Sequence, residues 1–278
     1  MSVQGWKYYN HAVIPTAPPY VAADMQPVES GAVWKLRGTL LARWTSSFDC
    51  GRETAWWYVI KDTPFDYQSL KSSHRYKINK GRRYFDVRVI DPREYRDDLY
   101  RVQTAAYADY PSAFRPQIDE EAFRRSIDQW SIYTTFGAFF RESDRLVGYA
   151  LLQRTDENWV QMVVQKADPA YEKYQINAAL VEKTLSHYAD LLANGGIICD
   201  GERNVVHKTN FQDYLQRNFG FRRAYCDLHI AYNPKVAWLV RLLRPFRGLL
   251  AHFDGMRQMH KINAVLEMDR LAHGSGAS

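Results

Sequence analysis

Residues 159–225 constrain the fold more than any other stretch of the chain. The apolar run Val160-Gln161-Met162-Val163-Val164 reads as a buried strand. A polar turn through Asp168-Pro169 leads into a helix beginning near Gln175. A second apolar run, Ile197-Ile198-Cys199, precedes a helix over 210–218, and Gly220-Phe221 opens a last strand. Strand, helix, strand, helix, strand is a parallel-sheet unit. Such units bind ligands beyond the carboxyl ends of their strands, so a working site is expected there.

The chain before this stretch supplies the rest of a mixed sheet. Residues 134–141 and 145–154 read as antiparallel strands joined by Glu142-Ser143-Asp144. Gly148, inside the second, marks a bulge or a close approach of the backbone to a ligand. Residues 85–90 alternate like a strand, Asp91-Pro92 starts a helix, and another helix spans 119–130. A helix is expected over 66–80, with Asp66 or Ser69 as its cap and Gly81 at its end. Seven Lys or Arg fall between 71 and 88 against one acid, Asp86. That imbalance fits either a solvated face or an anion-binding one.

Residues 39–44 and 55–60 read as a hairpin, with turn chemistry between Phe48 and Glu53. Its Trp44, Trp56 and Trp57 are expected in core packing, with a ligand platform as the alternative. Residues 1–30, rich in proline and aromatics, read as an extended, irregular segment lying on the body. Segment 235–253 sets Trp238, Leu239, Leu242, Leu243, Phe246, Leu249 and Leu250 among Arg241, Arg244 and Arg247. Docking on the sheet is expected for it, and an anionic membrane surface is the alternative. Pro245 should bend or break the helix. The domain reading is an N-terminal extension with a β-hairpin over 1–65, an α/β body with a mixed sheet over 66–233, a basic amphipathic helical segment over 234–272, and a tail over 273–278.

Composition narrows the function classes. The 278 residues carry a net charge of +6 with a pI near 9.1, which favours anionic partners. Cys50, Cys199 and Cys226 are too few and too far apart for a disulfide framework or a zinc site. The eight histidines are dispersed, so no metal is expected. No run approaches the roughly 20 apolar residues that span a bilayer, and no signal peptide is visible. A cytoplasmic protein is expected, with peripheral contact at the inner membrane face through 235–253 as the alternative to docking of that segment.

Three local features together resemble the GCN5-related N-acetyltransferase (GNAT) superfamily over residues 84–232. The hairpin 134–154 leads into strand 160–164. Asp168-Pro169 leads into Gln175-Ile176-Asn177-Ala178-Ala179-Leu180, where the family has its acyl-CoA loop and helix. Thr209-Asn210-Phe211-Gln212-Asp213-Tyr214-Leu215 runs to Phe219-Gly220-Phe221, like the family's late helix. The resemblance implies a GNAT-like acyltransferase with an acyl-CoA (acetyl-CoA) donor and an amine acceptor. Donor contacts would fall at Val163, Lys166, Gln175, Ile176, Asn177 and Asn210. Family members carry glycines where this chain has Gln175 and Asn177, and a side chain there obstructs a phosphate. A second, shorter resemblance covers 66–92. Leu70, Arg75, Ile78 and Gly81 fall as they do on entry to the Fem-type peptidyltransferases of cell-wall and polysaccharide pathways. It implies an aminoacyl-tRNA donor, with tRNA held by the basic helix 71–88.

Acyl transfer to an amine needs a base for the amine and an acid for the leaving group. Asp200 and Glu202 follow buried Ile198 and Cys199, so their carboxylates should emerge at the sheet's carboxyl end, and either is the expected base. Their alternative roles are a turn cap and a solvated charge. Tyr214 is the candidate acid, or a core ring. Lys166, Lys173 and Gln175 are candidates for donor phosphates. Cys199 is expected to be an inert core residue, and His207 with Asp200 has the look of a dyad without a nucleophile. A different class is a non-catalytic protein of the same fold, holding nucleic acid or anionic lipid.

Overall fold

The computed structural model describes residues 2–108, 110, 115–205, 210–253 and 257–274. The strands are β1 (Ser2–Val3), β2 (Trp6–Tyr9), β3 (Ala12–Pro15), β4 (Leu41–Ser46), β5 (Trp56–Lys61) and β6 (Phe85–Val89). They continue as β7 (Thr134–Phe140), β8 (Arg145–Asp156), β9 (Trp159–Ala167), β10 (Ile197–Glu202) and β11 (Arg222–Tyr232). The chain forms two compact units. One comprises Met1–Val59, Glu202–Asn210 and Arg223–Ser278, and the other Ile60–Gly201 and Phe211–Arg222.

In the first unit the strand order is β1-β2-β3-β4-β11-β5. This corrects two expectations. Residues 39–44 and 55–60 do form strands, but not a hairpin, because β11 lies between them and pairs antiparallel with β4 from Asp227–Ser46 to Tyr232–Leu41. The connection over 47–55 is too long for a tight turn and leaves room for a third strand. The N-terminal hairpin exists earlier, as β2 and β3, inside the segment read as irregular. There Asn10 and His11 take positive φ, the backbone a two-residue hairpin turn demands. Trp6 is fully buried with Val13, Val33 and Ala42, and its indole N–H donates to the Asp24 carbonyl at 2.8 Å. Trp56 is likewise core, against Cys226, Leu228 and Leu271. Trp57 instead lies between the guanidinium groups of Arg203 and Arg223, at 4.6 and 4.4 Å. Buried Asp269, on the helix Arg257–Gly274, accepts from the Tyr232 hydroxyl at 2.9 Å and pairs with Arg244 at 2.8 Å, tying that helix to β11 and to the start of the next turn.

In the second unit the order is β10-β9-β8-β7-β6. β6 to β9 run antiparallel to their neighbours, and β10 pairs parallel with β9. The helix Arg96–Ala106 lays Leu99 and Val102 on Phe139, Leu146, Tyr149 and Leu151. Gly148, next to Tyr149, faces Ile176 of the helix Ile176–His187, so that helix covers the opposite face. A bulge does adjoin Gly148: Ala138 and Phe139 pair with Gly148 and Leu146, so Val147 of the same strand is the extra residue. The close approach at the glycine is to Ile176, whose Cδ1 lies 2.8 Å from where a Cβ would stand.

The basic helix runs Ser72–Tyr84, later than expected. Asp66 does accept a backbone N–H, from Gln68, but this closes a turn, and Lys71 takes the N-cap position. Gly81 is buried inside the helix and does not end it. Its missing Cβ lets the helix approach the Gln175 carbonyl and Ala179. The C-terminal segment breaks at Pro245 as expected, into Pro234–Leu243, a turn at Arg244–Phe246 and Arg247–Ala251.

Candidate functional site

The site is built where β9 and β10 stop pairing. Their register runs Ile197–Trp159, Ile198–Val160, Cys199–Gln161 and, among the described residues, goes no further. β9 nevertheless continues to Ala167 along β8. Opposite Leu151 and Leu152 stand Val164 and Met162, so Val163 is the extra residue of a bulge, and it is 41% exposed. A bulge bends its strand, and this one coincides with the end of pairing. The edge of β9 from Met162 onward is thereby left without a strand neighbour from β10.

The helix Ile176–His187 starts beside this edge. Gln175 has φ 67° and ψ 41°, the left-handed backbone that glycine adopts most cheaply. Its carbonyl accepts from Ala178 and Ala179 at 3.0 and 3.2 Å. Asn177 Oδ1 accepts from Gln165 Nε2 at 2.9 Å, which ties the first helical turn to β9. The other amide atom of that residue, Gln165 Oε1, is buried without a hydrogen-bond partner among the described residues. Lys166 rests over the Tyr107 ring at 4.4 Å, and Lys173 over Tyr174 at 5.1 Å.

Asp200 sits at the end of β10, half-buried. Loss of hydration pushes its carboxyl up to about 6, against a hydrogen bond from Gln212 that lowers it. Gln212 lies in the first turn of the helix Phe211–Phe219, which brings the late helix onto the end of β10. On the same helix Tyr214 stacks with Phe211 and meets Phe219 edge to face, at ring distances of 6.0 and 5.6 Å. Burial raises the Tyr214 hydroxyl well above its ordinary value, so it stays protonated. Lys77 reaches over that ring at 5.9 Å and donates to Asn218 Oδ1 at 3.0 Å. Cys199 is fully buried, in keeping with a core role.

The two carboxylates expected together have different partners. Asp200 meets Gln212 within the second unit, whereas Glu202 forms an ion pair with Arg43 within the first. Asn210 is exposed just before the late helix, and His207 lies outside the described residues. Gln165 and Gln212 escaped the sequence reading. The signal for Gln165 was a polar residue directly after the apolar run of β9, and for Gln212 its place in a first helical turn. Among the described residues no group of His, Cys, Asp and Glu is arranged to hold a metal ion.

No protein-family model matches the chain, and no curated protein does. Solved structures do. L-PGS from Bacillus licheniformis superposes with a TM-score of 0.51 at 11% identity, over 86% of this chain and 83% of its own. The C-terminal domain of a putative lysylphosphatidylglycerol synthetase from Agrobacterium fabrum gives 0.50 at 11% identity, over 85% and 82%. A GCN5-related N-acetyltransferase from Sphaerobacter thermophilus gives 0.42 at 12% identity, over 82% and 75%. The fold is GNAT-like, with a mixed sheet and helices on both faces.

Proposed function

We propose that the chain is an acyltransferase of the GNAT-like class, passing an acyl or aminoacyl group to an amine. The observation that carries this reading is Asp200, whose carboxyl is raised to about 6 at the point where β9 and β10 part. A base with that value is ionised at neutral pH and still takes up a proton readily. The donor's acyl end lies against the edge of β9 near Val163, where the strand has no neighbour from β10 and its backbone groups are open to hydrogen bonding. Gln165 Oε1 supplies an acceptor for one of the donor's N–H groups. The amine attacks the acyl carbon and gives its proton to Asp200. The tetrahedral adduct then collapses, and Tyr214 protonates the leaving group.

Of the two donor classes, acyl-CoA and aminoacyl-tRNA, the second is favoured. The Gln175 and Asn177 side chains occupy the helix start that a pyrophosphate would approach. The helix Ser72–Tyr84 leaves Arg83 exposed and Lys80 half-buried, together with Tyr76 at 64% exposure, a combination suited to a nucleic-acid backbone. One structural neighbour is a domain of a putative lysylphosphatidylglycerol synthetase, named for an aminoacyl lipid. Thermal-shift titration with acetyl-CoA, aminoacyl-tRNA and uncharged tRNA tests the donor. Protection by aminoacyl-tRNA with transfer of its labelled amino acid supports the proposal. Equal protection by both tRNAs with no transfer would leave only a binding protein, and protection by acetyl-CoA alone would overturn the donor assignment.

A further inference from the structure

The helix Pro234–Leu243 turns Val240 inward, buried, with Val236 and Leu243 half-buried beside it. Its other faces are apolar as well. Trp238 is 62% exposed and Leu242 57%. Past the break at Pro245, Phe246 and Leu249 are 51% and 62% exposed. Among the described residues, six of the fifteen exposed large hydrophobic side chains fall within 238–253. Soluble surfaces scatter such side chains singly, and a cluster of this size marks an interaction surface. The inner face meets the expectation of docking on the protein, and the outer face exceeds what docking needs.

The charge on this segment selects what covers it. Residues 234–253 hold Lys235, Arg241, Arg244 and Arg247 and no Asp or Glu. Arg244 is folded back on buried Asp269, which holds the segment in place. Lys235, Arg241 and Arg247 are exposed beside the apolar side chains. A second copy of the chain would set the same cations against one another across a twofold contact. An anionic lipid surface accepts both: rings and leucines at the acyl boundary, and cations at the headgroups. Among the described residues no helix is long and apolar enough to cross a membrane, so the segment lies in the plane of the surface.

We propose that residues 234–253 dock the protein on an anionic lipid surface by inserting Trp238, Leu242, Phe246 and Leu249 between headgroups held by Lys235, Arg241 and Arg247. This stands apart from the acyl-transfer reading, and its test needs no turnover. The full chain is floated with vesicles of phosphatidylcholine alone and of phosphatidylcholine mixed with phosphatidylglycerol, and tryptophan emission is followed. Flotation with the anionic vesicles and a blue shift are expected. The variant Trp238→Ser/Leu242→Ser/Phe246→Ser, at exposed positions that spare the core, should lower partitioning by more than about tenfold. Lys235→Gln/Arg241→Gln should lower it by about fivefold for each charge removed, with binding weakened by salt. Unchanged circular dichroism in each variant confirms that the fold is kept. Absence of flotation, or flotation that the serine variant leaves intact, would overturn the proposal. So would a dimer that the serine variant dissolves, since a second copy would then own the surface.

Discussion

Replacing Asp200 by asparagine separates the cost of this site from its use. Burial at the end of β10 raises the carboxyl to about 6 from 3.8, with the Gln212 hydrogen bond pulling the other way. The folded chain therefore holds that proton more tightly than the unfolded chain does. The stability linked to it is complete below the unfolded value of 3.8 and is lost as pH rises through about 6. Above that, the ionised carboxylate costs about 3 kcal/mol relative to a neutral group of the same shape. Asparagine keeps the shape, offers Gln212 a carbonyl and carries no charge to dehydrate. At neutral pH the variant should melt roughly 5–10 °C above the wild type. The two should converge below about pH 4, where both groups are neutral. Turnover should move the other way: absent in the variant at every pH, and rising in the wild type through about pH 6 as the base ionises. Urea unfolding and transfer of a labelled acyl group, each followed across that range, read both effects. A variant no more stable at neutral pH, or a gap that persists on acidification, would refute the desolvation argument. Retained turnover would remove Asp200 from the chemistry.

Other substitutions test neighbouring parts of the structure. Gln175→Gly should leave stability within about 0.5 kcal/mol by chemical unfolding, because relief of left-handed strain offsets the added chain entropy. The same change should strengthen acetyl-CoA protection in a thermal-shift titration, since it clears the helix start. Gly81→Ala places a Cβ 2.9 Å from the Gln175 carbonyl and 3.1 Å from Ala179, so urea unfolding should show a loss of about 1–3 kcal/mol despite better helix propensity. Arg43→Met strips Glu202 of its ion pair on a partly buried site and should cost about 1–3 kcal/mol in the same assay. Tyr214→Phe keeps the ring packing, so stability should hold while the rate falls most for donors with poor leaving groups.

The body of the fold was legible because its signals are local. The apolar runs of 134–141 and 145–154 about the turn Glu142-Ser143-Asp144, the apolar run of β9 and the caps at Asp91 and Asp119 each lie within a few residues of the structure they specify. What failed was partner choice. Residues 39–44 and 55–60 read as strands and β4 and β5 do form there, yet the pattern between them could not reveal that β11, some 180 residues after β4, would take the place between them. Gly81 shows the same limit in a helix. A glycine after a basic turn has the composition of a C-terminal cap, but here the missing side chain serves a contact with Gln175 and Ala179, nearly a hundred residues on.

The site divides along the same line. Gln175 stands where a glycine is expected, and its backbone nevertheless makes the left-handed turn that glycine would make. The loop therefore has the shape a glycine would give it, with side-chain atoms in the space beside it, and the proposed aminoacyl-tRNA donor rests on that pairing. Asp200 and Glu202 were equivalent in sequence, two carboxylates two apart at a strand end. Gly201 between them has φ 130°, a backbone that only glycine takes easily, so the strand's alternation does not carry through. Their partners then separate them. Glu202 has the Arg43 guanidinium beside it, an ion pair that engages the carboxylate and suits a structural anchor. Asp200 has a neutral amide and a dry setting, which raises its proton affinity. Of the two, Asp200 has the environment a base requires, and a charge introduced beside it tests that reasoning directly. Gln212→Lys should bring its carboxyl back toward 3.8 and shift the acid limb of the rate profile to lower pH by the same amount, whereas the matching change beside an anchor would leave that limb in place.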